Sequence, residues 1–137
     1  GHGVMHSEFN PSASDGVHFL QIWIEPAERG IAPSYEQATV APEVKRGSLV
    51  LLAAPGGEGG VVTIHQNARI YAGTFDGAEA ATHALAAGRR AYVHVARGAA
   101  TVNGLPLGAG DAVKVEDESA VRIESGRAAE VLLFDLP

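Results

Sequence analysis

The sequence predicts an all-β barrel or sandwich, and three observations carry that expectation. From Leu49 onward, short apolar runs alternate with turns made of Gly, Asp and Pro. Asn103-Gly104 stands between two such runs, the strongest short-range signal for a β-hairpin. No stretch carries the long three-to-four-residue apolar period of an amphipathic helix.

Each element follows in order. Residues 17–24 read as a strand bounded by Asp15-Gly16 and Pro26. His18, Leu20, Ile22 and Ile24 share one face of it, and Val17, Phe19, Gln21 and Trp23 share the other. Both faces are largely apolar, so the strand is expected to be covered on both sides. Residues 26–47 hold three prolines, two glycines and no sustained period, which predicts an irregular linker with one helical turn at 34–37. Strands are expected at 49–53, 61–65, 68–75, 92–96, 99–102, 105–107, 113–115, 121–123 and 131–134. Pro55-Gly56-Gly57-Glu58-Gly59-Gly60 reads as a flexible loop. It lacks the Lys-Ser/Thr and the following helix of a phosphate cradle.

Composition excludes several functions. The balance is acidic, with 10 Lys and Arg against 16 Asp and Glu for a formal charge of −6. No basic stripe exists to neutralise phosphates, so nucleic acid is not an expected partner. There is no cysteine, hence no disulfide framework and no thiolate chemistry. No apolar run approaches the roughly 20 residues of a membrane span. The start shows neither a charged nor an apolar signal region, and the expected location is cytoplasmic.

His6-Ser7-Glu8 carries the chemistry. A His and a carboxylate two apart on a strand project from one face. Imidazole plus carboxylate suits Fe(II), Mn, Zn or Ni. Two ligands are not a site, because catalytic metal sites take three or more protein ligands. The competing reading is a polar strand end before the turn at Asn10-Pro11. His2 has the same parity as His6 and Glu8. His65 reads as a hydrogen-bonding strand-end residue, His94 as a surface or interface histidine, and His18 as a core or pocket histidine. Trp23 and Tyr35 read as core and interdomain packing. Arg89-Arg90 reads as a solvated pair, or one that opposes Glu36 or the acidic run Glu116-Asp117-Glu118.

The run Gly3-Val4-Met5-His6-Ser7-Glu8-Phe9-Asn10-Pro11-Ser12 resembles the signature of the pirin family of two-domain cupins. The resemblance continues through His18-Phe19-Leu20-Gln21-Ile22-Trp23-Ile24 and Gly30-Ile31-Ala32-Pro33-Ser34-Tyr35-Glu36-Gln37. It resumes at His65-Gln66 and Arg89-Arg90-Ala91-Tyr92-Val93 and closes with Leu132-Leu133-Phe134-Asp135-Leu136-Pro137. It implies a cupin jelly roll over 48–137, preceded over 1–47 by strands of an incomplete N-terminal cupin and a linker. A full pirin-like chain carries about a hundred further residues upstream, the size of one extra domain.

The resemblance also implies chemistry. Pirin-like proteins hold one metal, commonly Fe(II), through three His and one Glu of the N-terminal cupin. His6 and Glu8 match two of those ligands and the other two lie upstream, so His6 and Glu8 are the expected metal ligands here. Several bacterial members are quercetin 2,3-dioxygenases, which implies a flavonol-like substrate, with Glu8 as the catalytic carboxylate that accepts its proton. The family does not use the position of His2. In the second barrel, a cupin's first motif is a Gly, five residues, then His-x-His. Gly77 is followed at that spacing by His83, but the next motif position is Leu85, and the expected Glu falls near Arg89, Arg90 or Ala91. The His of the second motif falls near Val113. One ligand of four survives, which predicts a metal-free barrel. The chain alone is expected to be inactive and to hold metal weakly or not at all. It is expected to self-associate or to pair with the missing N-terminal segment. The alternative is a metal-free cupin acting as a protein-binding or structural module.

Overall fold

The computed structural model describes residues 3–137. Gly1 and His2 lie outside the described residues, and so does the parity argument for His2. The first regular element is a single helical turn, α1 (Pro42–Lys45), and eight strands follow. They are β1 (Val50–Pro55), β2 (Val62–Ile64), β3 (Arg69–Phe75), β4 (Ala81–Ala84), β5 (Arg90–Val102), β6 (Leu105–Gly108), β7 (Ala112–Val115) and β8 (Ala120–Leu136).

Two long strands organise the barrel. β8 and β5 pair antiparallel from Arg90↔Leu136 to Val102↔Ile123. The C-terminal half of β8 also pairs with β3, which pairs with β1 and through it with β2. The N-terminal half of β8 pairs with β4. The two halves of β5 do the same with β7 and β6. Each long strand thus passes from one sheet of the jelly roll to the other, and such corners need bulges or bends. The register of β5 on β8 shifts three times between Val95 and Thr101. At this corner Gly98 adopts φ +67°, and a Cβ there would collide with the carbonyl oxygens of Arg127 and Ala128. Only glycine fits so close an approach of two backbones.

Between the sheets lies the core: Phe75, Leu85, Val93, Val95, Val102, Val121, Ile123, Val131 and Leu133. Strand alternation explains β8. Val131 and Leu133 face inward, while Leu132, Phe134 and Leu136 join a smaller outer cluster with Ile70, Tyr92 and Ile24.

The Asn103-Gly104 hairpin joins β5 to β6 as expected, with φ of 45° and 81° at the two turn residues. The Asn103 side chain also fastens the hairpin to β8, donating to the Ala120 carbonyl at 3.0 Å and accepting from the Arg122 amide at 2.6 Å.

Several expectations are corrected. Residues 17–24 form no strand, and residues 3–40 carry no regular element. A strand needs a pairing partner, and among the described residues this segment pairs with no edge of the sheet. The helical turn falls at Pro42–Lys45 rather than at 34–37, with Pro42 in its first turn, where a missing N–H costs nothing. Trp23 and Tyr35 are not core: they are 87% and 84% exposed. The pairs of short strands expected at 92–96 and 99–102, and at 121–123 and 131–134, are each one continuous bent strand. β4 was not expected; Ala-Thr-His-Ala has little strand propensity of its own and is held by its ladder to β8.

Candidate metal half-site and the polar knot of the barrel

His6 and Glu8 lie side by side, with Nε2 3.9 Å from Oε1. Both side chains are open to solvent, at 55% and 75% exposure. A turn closes directly after them. Asn10 Nδ2 donates to the Asp15 carbonyl at 2.7 Å, and the Asp15 amide donates to Ser12 Oγ at 2.9 Å. His18 is not brought to this pair. Of the two expected places, core or pocket, it takes the second: it is exposed, lines a cleft, and its Nδ1 accepts from Arg97 Nε at 3.0 Å. Among the described residues no three His, Asp or Glu side chains converge as a metal cluster.

The barrel treats His83 differently. His83 Nε2 donates to Asp135 Oδ2 at 2.9 Å, because a carboxylate only accepts. Arg89 Nε donates to Asp135 Oδ1. Its two terminal nitrogens reach the Asp135 carbonyl at 3.0 Å and the Asn67 side-chain oxygen at 3.0 Å. Tyr71 covers the imidazole with ring centroids 4.6 Å apart. Burial, reinforced by the nearby Asp135 charge, holds the Tyr71 phenol above its usual pKa. Leu85, at the position of the next motif histidine, is buried in the core, and Val113 packs against it.

Strand parity explains the knot. Asp135 follows Val131 and Leu133 on the inward face of β8, so its carboxylate arrives in an apolar interior, only 5% exposed. A buried carboxylate requires partners, and His83 and Arg89 supply them. The arrangement corrects the reading of Arg89 as half of a solvated pair. Arg90 does lie opposite Glu116 at 3.8 Å, both exposed. Glu36 meets neither arginine; its carboxylate accepts from the Thr63 amide of edge strand β2 at 2.6 Å. His65 is exposed, and its carbonyl accepts from the Ala27 amide at 2.7 Å. His94 is half-buried and lines an apolar groove beneath residues 20–24. Asp135 and Tyr71 were missed from sequence, although a lone Asp inside Leu132-Leu133-Phe134-Asp135-Leu136 on a strand was the available signal.

Residues 51–136 match the family described as the quercetinase C-terminal cupin domain. The chain belongs to the pirin family of cupins. Among its relatives, quercetin 2,3-dioxygenase of Escherichia coli K12 is 38% identical over 137 residues, which is all of this chain and 58% of that protein. A pirin-like protein of Caulobacter vibrioides is 32% identical, over 98% of this chain and 58% of its own length. This pirin chain therefore spans little more than half the length of the curated relatives it matches. The crystal structure of the bacterial pirin YhhW from Escherichia coli in complex with nickel(II) superposes with a TM-score of 0.74 at 36% identity, covering 82% of this chain and 47% of that one. An RmlC-like cupin from Desulfovibrio desulfuricans, at 15% identity and a TM-score of 0.51, shares the fold alone.

Proposed function

We propose that this chain is the C-terminal portion of a pirin-like, metal-dependent quercetin 2,3-dioxygenase. Residues 1–47 are then the remnant of the first cupin with its linker, and 48–137 are the second cupin. The observation that carries the reading is the pairing of His6 with Glu8 at 3.9 Å on an open segment. The donor chemistry fits a divalent metal, because an imidazole and a carboxylate together accept Fe(II), Ni(II), Mn(II) or Zn(II). His6 and Glu8 hold one half of the coordination sphere, and the longer protein supplies the other half. A divalent metal held there, Fe(II) in our reading, would supply Lewis acidity. The Glu8 carboxylate accepts the proton of a flavonol hydroxyl, and His6 orients beside it.

The chain alone is then inactive, and its apolar segment looks for cover. Val4, Met5, Phe9, Val17, Phe19 and Trp23 are exposed, Met5 to 97%. Exposed apolar side chains gathered along one segment in this way mark an interaction site. We assign it to the upstream part of the protein, or to a second copy of this chain when that part is absent. A second reading, in which the barrel is a structural or protein-binding module, is favoured by one observation. The motif histidine His83 is already committed to Asp135, so the barrel serves as a support rather than a reaction chamber. We place the protein in the cytoplasm; among the described residues no helix is long and apolar enough to cross a membrane. Oxygen uptake with quercetin by the longer protein tests the enzymatic reading. It should be abolished by Glu8→Ala and His6→Ala and unaffected by Lys114→Ala on the far strand β7. Full uptake in either ligand variant would overturn it.

A further inference from the structure

The fold uses Asn103 twice, in the β5–β6 turn and in a clasp to β8. Its φ of 45° and the φ of 81° at Gly104 make the turn, and few residue types accept such values. The Asn103 backbone amide donates to the Arg122 carbonyl at 2.9 Å, and its side-chain oxygen accepts from the Arg122 amide at 2.6 Å. Nδ2 of the same side chain donates to the Ala120 carbonyl at 3.0 Å. The side-chain amide thus continues the β5–β8 ladder one step past Val102↔Ile123, where the backbone has already turned away. Both polar atoms of that amide are engaged. From the other side β8 is held by β4, through Thr82↔Arg122 and Ala84↔Ala120.

An Asn-Gly pair also carries a covalent chemistry of its own. In an open chain the Gly104 nitrogen loses its proton and bonds Asn103 Cγ. The Cγ–Nδ2 bond breaks and Nδ2 leaves as ammonia, which closes a five-membered succinimide. Water then adds to the ring. Opening at Cγ gives aspartate, and opening at the main-chain carbonyl gives an isoaspartyl linkage. Glycine favours ring closure because no Cβ crowds the attacking nitrogen. Asn10 precedes Pro11, which has no N–H to attack with, and Asn67 precedes Ala68, which carries a Cβ. We propose that Asn103 is a deamidation site that the native fold holds closed, and that conversion unfastens the hairpin from β8. Ring closure turns Cγ onto the Gly104 nitrogen and expels Nδ2, so the bonds to Ala120 and Arg122 must first be lost. The product does not restore them. A carboxylate at this position only accepts, so the Ala120 carbonyl faces an oxygen instead of a donor. An isoaspartyl linkage adds a carbon to the backbone of the turn and displaces the pairing Val102↔Leu105 beside the buried Val102. A molecule that has once opened is thereby marked in covalent form.

The experiment incubates the 137-residue chain at mildly alkaline pH, native and in urea, and follows each asparagine by peptide mapping with mass spectrometry. In urea, Asn103 should convert ahead of Asn67. In the native chain its conversion should be at least about tenfold slower, the population ratio that the hydrogen bonds of the clasp sustain. Converted chain, refolded from urea, should unfold at a lower urea concentration than unconverted chain. Its Arg122 amide, which has lost the Asn103 side chain as acceptor, should exchange its hydrogen faster. Asn103→Asp starts from one of the two products and should show the same lowered midpoint. A native rate within that tenfold of the rate in urea would overturn the proposal. So would a chain in urea that converts Asn67 first or leaves Asn103 intact, or a converted chain and an Asn103→Asp variant that unfold where the unmodified chain does.

Discussion

Residues 17–24 and the C-terminal half of β8 are similar stretches of sequence in opposite situations. Both alternate, and both are apolar on two faces. In β8, Leu133 is fully buried between the sheets and Phe134 closes the outer cluster, because β3 and β5 flank the strand on either side. In residues 17–24, only Ile24 joins a cluster, while Val17, Phe19 and Trp23 stand in solvent. An apolar alternating run becomes a strand only where it pairs with a neighbour. What is measured as strand propensity is packing against neighbours. The barrel is complete in this sense: no buried side-chain nitrogen or oxygen among the described residues lacks a hydrogen-bond partner.

The largest expected effect breaks the knot. Asp135→Ala leaves Arg89 and His83 partly buried without their carboxylate, and removing one partner of a buried ion pair costs about 3–5 kcal/mol. Urea unfolding followed by far-ultraviolet circular dichroism should show that loss. A loss below about 1 kcal/mol, the range of exposed pairs, would mean the cluster is solvated. Next comes the core. Leu133→Ala should cost about 2–5 kcal/mol, whereas Trp23→Ala should stay within about 0.5 kcal/mol. Equal losses would erase the contrast between the two regions.

Much of this contrast was legible in the sequence. The strand positions of the barrel and the Asn103-Gly104 hairpin follow from local period and turn chemistry. The bends of β5 and β8 were hidden because Gly98 and Gly126 look like strand ends, whereas each permits a close backbone crossing. β4 was hidden because its strand character comes from β8 and not from Ala81 to Ala84 themselves. The knot was hidden because Asn67, His83, Arg89 and Asp135 are distant in sequence and meet only through the fold. The absence of a strand over 17–24 was hidden for the opposite reason, since local pattern says nothing about whether another strand pairs with it.

A smaller effect concerns pH. The Arg46 side chain, with help from the Asp76 amide, holds the Glu79 carboxyl below its usual pKa. The Thr63 amide does the same for Glu36. A lowered folded-state pKa contributes stability that is present above the ordinary value, about 4.3, and is lost as pH falls below it. The melting temperature should therefore drop on acidification below about pH 4.5, and less so in Glu79→Gln and Glu36→Gln. An unchanged slope in both variants would mean these contacts are absent in solution. The smallest effect is association of the exposed segment. Light scattering should show a mass that rises with concentration and that Phe19→Ser with Trp23→Ser reduces. A monomer at all concentrations would show that residues 17–24 need no cover.

Metal content tests the half-site most directly. Plasma mass spectrometry should be run on this chain and on a protein extended upstream to the full length of its relatives, both after dialysis against chelator. The account predicts about one metal per chain in the extended protein, lost in His6→Ala and in Glu8→Ala, and no stoichiometric metal in this chain. A stoichiometric metal retained by residues 1–137 alone would contradict it, because a third and fourth ligand would then have to come from this chain or from a second copy of it.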